Sequence, residues 1–202
     1  MYKKYMKRLL DVIFALMLMP LILPLVAICG LIIKLEDRGP VFYLGERLGM
    51  NKRVFKMYKL RSMKVNAPDI RNEDGSTFNS YNDTRLTQIG KFIRKTSLDE
   101  LPQIINVLIG DMSFVGPRPD LPEALDYYNK NEVNKLNVRP GITGYSQAYY
   151  RNSIIQSEKF KNDIYYVVNI SLILDIKIFF ITIYNVFRRK NINIVDGLSQ
   201  SK

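Results

Sequence analysis

The chain has 202 residues, 47% of them hydrophobic, and its 30 Lys and Arg against 19 Asp and Glu give a formal charge of +11. With no histidine and a single cysteine, it excludes an imidazole base, Ser-His-Asp and Cys-His triads, His/Cys zinc sites and an intrachain disulfide, and leaves catalysis to carboxylates. The length suits one compact unit, and the surplus positive charge calls for an anionic partner, whether nucleic acid, a membrane surface or a phosphate-rich substrate.

Residues 12–33 carry no charge. As a straight helix they would extend about 33 Å, enough to cross a hydrocarbon core about 30 Å thick. The run is longer than a secretory signal core and no small-residue cleavage site follows it, so a retained membrane segment is expected. The lone Cys29 lies within it and gives no sign of secretion, favouring a cytoplasm-facing protein. Pro20 and Pro24 interrupt the middle of the run, each deleting a backbone donor. The limbs on either side of Pro24 are about 18 Å and 13 Å long, each close to one leaflet. Lys3, Lys4, Lys7 and Arg8 precede the run, while Lys34, Arg38, Arg47, Lys52 and Arg53 follow it. Positive charge is retained on the cytoplasmic side, so basic flanks at both ends suit a re-entrant hairpin bent at proline better than a span. A kinked transmembrane helix is the alternative, and a buried soluble helix fits less well than either.

Residues 36–40 read as a turn. Segments 41–43 and 54–58, rich in Val, Phe and Tyr, predict two short strands joined through residues 45–52 as a hairpin. Residues 66–83 hold Pro68, Gly75 and several Asn without apolar periodicity, and predict a mobile loop. Helices are expected over 87–95 and 97–109, with Gly110 stopping the second. Pro117, Pro119 and Pro122 fix an extended turn before a further helix, 123–137, and residues 140–144 form a second rigid turn. Residues 171–187 are rich in Ile, Leu and Phe, are interrupted by Asp175, Lys177, Thr182 and Asn185, and run into Arg188-Arg189-Lys190. That pattern fits an amphipathic helix lying along a membrane interface, and equally a core-packing helix. No internal repeat or heptad is visible.

Chemistry concentrates at Thr96-Ser97-Leu98-Asp99-Glu100-Leu101-Pro102-Gln103, where two adjacent carboxylates meet a predicted helix start. Ser97 and Glu100 fit a capping box, which explains both as structure and leaves Asp99 without a role. A helix start also offers open amides and the positive dipole end, drawing phosphate oxygens to the place where the carboxylates stand. A bridging Mg2+ would relieve the conflict between these anions. Cations bracket the pair in sequence: Lys59 and Arg61, then Arg85, Lys91, Arg94 and Lys95, then Arg118, Arg139 and Arg151. Most such side chains are simply solvated. Arg118 stands apart, because the prolines of Gly116-Pro117-Arg118-Pro119 limit its backbone and hold the guanidinium ready for bidentate phosphate contact.

Several stretches, in order through nearly the whole chain, resemble the bacterial sugar transferase family, the small monotopic polyprenyl-phosphate phosphoglycosyl transferases. They are Lys7-Arg8 with Asp11, Gly39-Pro40-Val41-Phe42, Tyr58-Lys59-Leu60-Arg61-Ser62-Met63, residues 96–103, Asn106-Val107-Leu108 with Gly110-Asp111-Met112-Ser113, residues 115–119 and 139–144, and Asp163 with Tyr166. The resemblance implies a re-entrant N-terminal helix bent at Pro24, a catalytic domain on the cytoplasmic leaflet of the inner membrane, Asp99 as nucleophile and Glu100 as a Mg2+ ligand. It places Lys59, Arg94, Arg118, Arg151 and Asp163 around the diphosphate of a UDP-sugar or in support of its site, and Arg61, in the same motif as Lys59, is expected to bind substrate with them. The implied acceptor is polyprenyl phosphate. Two departures stand out: Leu23 and the additional Pro20 where the family often has Ser before the bending proline, and Gly45 where Gln is common.

The resulting fold expectation is α+β and mainly α. Residues 1–36 form the membrane helix, residues 37–190 a catalytic domain with a short β-hairpin and an interfacial helix at 171–187, and residues 191–202 a tail. The competing expectation is a non-catalytic, membrane-anchored module that binds anionic lipid. Nucleic acid is not the expected partner, since the basic residues are spread along the chain without an interleaved aromatic stripe. The oligomeric state is left open, a dimer included.

Overall fold

The structure, a computed structural model, describes residues 2–70, 83–150 and 154–188. Arg151, most of the loop expected at 66–83 and the tail at 191–202 lie outside the described residues.

The apolar run forms one helix, α1 (Lys7–Asp37), entered by a short π-helical turn and carrying Pro20 and Pro24 inside it. Among the described residues, Tyr2–Asp37 is the one helical segment long and apolar enough to cross a bilayer by length and composition. Both ends of α1 are fastened to the rest of the molecule. Near its start, Arg8 donates to the carbonyls of Val107 and Leu108, and the Asp11 carboxylate accepts the Phe114 N–H at 3.1 Å. Near its end, Glu36 accepts the N–H groups of Gln88 and Ile89, and Asp37 pairs with Arg61.

The hairpin forms as expected, with longer strands: β1 (Phe42–Leu48) runs antiparallel to β2 (Val54–Leu60), with Tyr43 opposite Lys59. Phe55 and Met57 on β2 are buried with Ala15 of α1 and with Ile104, Val107 and Met112. Strand side chains alternate, so Lys59 continues the inward row of Phe55 and Met57. A second apolar cluster joins Cys29 and Ile33 of α1 to Leu60 and Ile93. The membrane helix therefore supplies part of two cores.

Helix α2 (Gln88–Lys95) starts where the Thr87 hydroxyl accepts the Gly90 N–H at 2.9 Å. It lies so close to the end of β2 that a Cβ on Gly90 would stand 1.9 Å from the Ser62 carbonyl oxygen. The helix expected over 97–109 is divided. Ser97 adopts a left-handed conformation (φ 58°) and makes no side-chain cap, so the capping box does not form. A single 3-10 turn, Leu98–Glu100, is followed by α3 (Gln103–Ile109), which starts behind Pro102 and ends at Gly110 with φ 97°.

The helix expected over 123–137 is also corrected. Two 3-10 turns, Pro122–Asp126 and Glu132–Asn137, replace it. Between them the Asn129 side chain accepts the backbone N–H groups of Asn131 and Glu132, a local alternative to helical bonding. The turn expected at 140–144 contains a strand, β4 (Gly141–Thr143), paired in parallel with β3 (Ser113–Val115). Helices α4 (Tyr145–Tyr149), α5 (Gln156–Val168) and α6 (Leu172–Phe187) complete the described chain.

A third cluster forms around Val115, Ala148, Tyr166 and Ile178. Three of the polar residues interrupting α6 bind the fold. Asp175 accepts from Lys7 at 2.6 Å and from the Tyr166 hydroxyl at 2.7 Å, Thr182 bonds Thr143, and Asn185 donates to the Ala148 carbonyl. On the other side of α6, Ile173, Ile176, Phe180 and Tyr184 are exposed at three- and four-residue spacing, an unpartnered apolar stripe.

Candidate active site

Asp99 and Glu100 lie in the 3-10 turn between α2 and α3, held between the left-handed Ser97 and the Pro102 start of α3. Asp99 is 8% exposed. Glu100 turns toward β2, where the inward row delivers Lys59 Nζ to 2.6 Å from Glu100 Oε1. Arg94, in the last turn of α2, donates Nε–H to the Ser62 hydroxyl at 2.9 Å, a position set by the close approach at Gly90.

The two carboxyls sit in opposite electrical surroundings. Burial, with the neighbouring Glu100 charge, pushes Asp99 up to about 6 despite Lys59 and Arg94. Burial pushes Glu100 up too, but Lys59, Arg118 and Arg94 outweigh it and hold its carboxyl well below the usual range. Pairs of titratable groups driven apart in this way are characteristic of catalytic carboxylates. Among the described residues no three His, Cys, Asp or Glu side chains converge as a ready-made metal cluster. Asp99 and Glu100 nonetheless offer the hard oxygen donors through which Mg2+ is commonly held, with substrate phosphates completing its shell.

Of the residues singled out in the sequence, Lys59, Arg94 and Arg118 act electrostatically on Glu100. Arg61 is used elsewhere: its guanidinium binds Asp37 and the carbonyls of Pro40 and Met63, tying the end of α1 to the end of β2. Asp163 is buried against Lys135 at 2.6 Å, and the same lysine pairs with Asp120, two residues past Arg118, so Asp163 supports the Arg118 turn from behind. Two contributors have no role assigned in the sequence, although Asn106 falls in one of the family-like stretches. Lys135 looks like any surface lysine in the sequence. Asn106 is fully buried; its amide accepts the Tyr58 N–H at 2.9 Å and donates to the Lys56 carbonyl at 2.8 Å, clamping α3 to β2 beside Lys59.

Residues 2–189 match the bacterial sugar transferase family, and the chain belongs to it. It is similar to the UDP-N-acetylgalactosamine-undecaprenyl-phosphate N-acetylgalactosaminephosphotransferase of Aeromonas hydrophila, with 40% identity over 89% of this chain and 43% of that protein. It is similar also to the UDP-glucose:undecaprenyl-phosphate glucose-1-phosphate transferase of Escherichia coli K12, with 38% identity over 93% of this chain and 41% of that protein. An uncharacterized sugar transferase of Bacillus subtilis, EpsL, is 39% identical over 90% of this chain and 87% of its own length. The chain thus spans less than half the length of the first two relatives.

Proposed function

We propose that this protein moves a sugar-1-phosphate from a UDP-sugar to polyprenyl phosphate at the cytoplasmic face of the inner membrane, by way of a phosphosugar-aspartate. The observation that carries this is the Asp99–Glu100 pair: one buried, high-pKa carboxyl adjacent in sequence to one held ionised by a ring of cations. The relatives' names supply the substrate classes. Since two of them name different sugars, the sugar is the variable part.

In this mechanism an ionised Asp99 oxygen bonds to the β-phosphorus while the bond from that phosphorus to the bridging oxygen of UMP breaks, and UMP leaves with the electron pair. Lys59, Arg94 and Arg118 counter the diphosphate charge, and the low dielectric around Asp99 leaves its carboxylate poorly solvated and reactive. A phosphate oxygen of the polyprenyl lipid then bonds to the same phosphorus, and Asp99 departs as carboxylate. Asp99 and Glu100 would hold Mg2+, which when bound adds Lewis-acid stabilisation of the phosphoryl oxygens.

A span would place Arg8 and Asp37 on opposite sides of the bilayer, and the bonding of both ends to the same catalytic body supports a re-entrant helix instead. Pro20 and Pro24 deprive the carbonyls of Leu16 and Pro20 of partners. Their four-residue spacing places both losses on one helix face, so bending there accumulates in one direction. The apolar stripe of α6 is suited to lie along the same interface.

Two measurements test these readings. Purified protein supplied with undecaprenyl phosphate and a panel of UDP-sugars should release UMP with at least one of them, and should stop in chelator. No UMP from any sugar would remove the transferase reading. For topology, Lys4→Cys and Lys52→Cys variants should both resist an impermeant maleimide in intact spheroplasts and both react after permeabilisation. Labelling of Lys4→Cys alone from outside would establish a span instead.

A further inference from the structure

Lys135 is an unusual lysine, with a side chain 3% exposed. Its Nζ lies 2.6 Å from an Asp120 oxygen and 2.6 Å from an Asp163 oxygen, and 5.1 Å from the centroid of the Phe160 ring. The Tyr128 hydroxyl donates to the same Asp120 oxygen. Beyond the lysine the network reaches the Arg118 turn through Asp120. Asp120 lies two residues past Arg118, and its carbonyl accepts the Leu48 N–H at 2.8 Å from the end of β1, while Asp163 holds the lysine from α5. Arg118 itself is exposed, and its charge is among those that hold the Glu100 carboxyl low. Buried ion networks return little net stability, because desolvation of each charge offsets the attraction. What this one supplies is geometry.

We propose that Lys135 is a positioning residue for the transfer: by joining Asp120 to Asp163 it fixes the turn at 116–120 so that the Arg118 guanidinium meets the diphosphate of the nucleotide sugar beside Glu100. The inference rests on the transferase reading above. Lys135 is too deep to touch substrate itself and acts through Arg118.

The test is a cycle in an Asp120→Asn background, which avoids leaving two buried carboxylates unpaired. Lys135→Met should slow UMP release about 10- to 100-fold while Arg118 is present, the scale of a misplaced binding group. With Arg118→Ala already in place, the same change should cost less than about threefold, because the group being positioned is gone. Circular dichroism and membrane association should be retained. Equal slowing in both backgrounds, or no slowing at all, overturns the inference. If Lys135→Met melts below the assay temperature, the cycle with Lys135→Arg, which keeps the charge but replaces a point ammonium by a planar fork, measures the same coupling. Absence of UMP release by the wild type would overturn the transferase reading and this inference together, whereas additive variants of an active wild type overturn the inference alone.

Discussion

Asp99→Asn should release UMP at least about a thousandfold more slowly than wild type, the scale expected when a covalent nucleophile is removed, while still partitioning into membranes. Mass spectrometry of trapped wild-type turnover mixtures should find the phosphosugar on this residue. Full turnover by the variant would sink the covalent mechanism. The pH dependence has a definite sign. If ionised Asp99 is the attacking group, wild-type UMP release should climb with pH and level off, with the rise at or below about 6 because a bound cation favours the ionised carboxylate.

Stability should run the other way. Folding raises this carboxyl from 3.8 to about 6, so the protonated side chain is the form favoured by the fold. Its contribution is fully present below about pH 4 and is lost as pH rises through about 6. The displacement corresponds to at most about 3 kcal/mol. Asn is neutral and close in shape, so in chelator at pH 8 the variant should melt higher than wild type, with the gap closing below pH 4. A variant that melts no higher in chelator would count against the burial argument. As the proposed nucleophile, Asp99 would be a place where stability is given up for reactivity.

Asn106→Leu should lower the melting temperature by roughly 5–15 °C, a cost of about 2–4 kcal/mol. Leu fills the space but strands the Tyr58 N–H and the Lys56 carbonyl inside the core. The Asn106 backbone carbonyl, which gathers the N–H groups of Gly110, Asp111 and Met112, would be untouched. The loss therefore isolates the clamp between α3 and β2. Because Lys59 follows Tyr58 on that strand, the KM for UDP-sugar should rise as well. Melting within a degree of wild type would mean that the clamp is not structural.

The sequence makes some of this visible and hides the rest for physical reasons. Thr87 and Ser171 announce the starts of α2 and α6 because capping is a local interaction, and the hairpin follows from local β-propensity. The capping box at Ser97 misleads because the same four residues serve either a helix start or a left-handed reversal, and tertiary packing chooses the second. The β3–β4 pair is invisible because three-residue strands joined across a long interval have no periodicity to detect. Asp99 and Glu100 stand out as adjacent carboxylates in a chain without histidine. Lys135 does not, and Asn106 enters only as part of a family-like stretch without a role, since the importance of both lies in burial, and a residue's burial is decided by partners far along the chain.

The sharing of cores between α1 and the remainder has a practical corollary. Ala15, Cys29 and Ile33 are buried in cores shared with β2, α2 and α3, while Leu16, Met17, Leu21 and Leu31 on the same helix are exposed. One rod is thus at once keystone and raft. Cutting it away would not liberate a soluble enzyme but would open two oily clefts and cause precipitation. Any detergent or nanodisc chosen to purify the molecule becomes a constituent of its native state, so a denaturation curve recorded in one amphiphile describes that mixture and is not transferable to another.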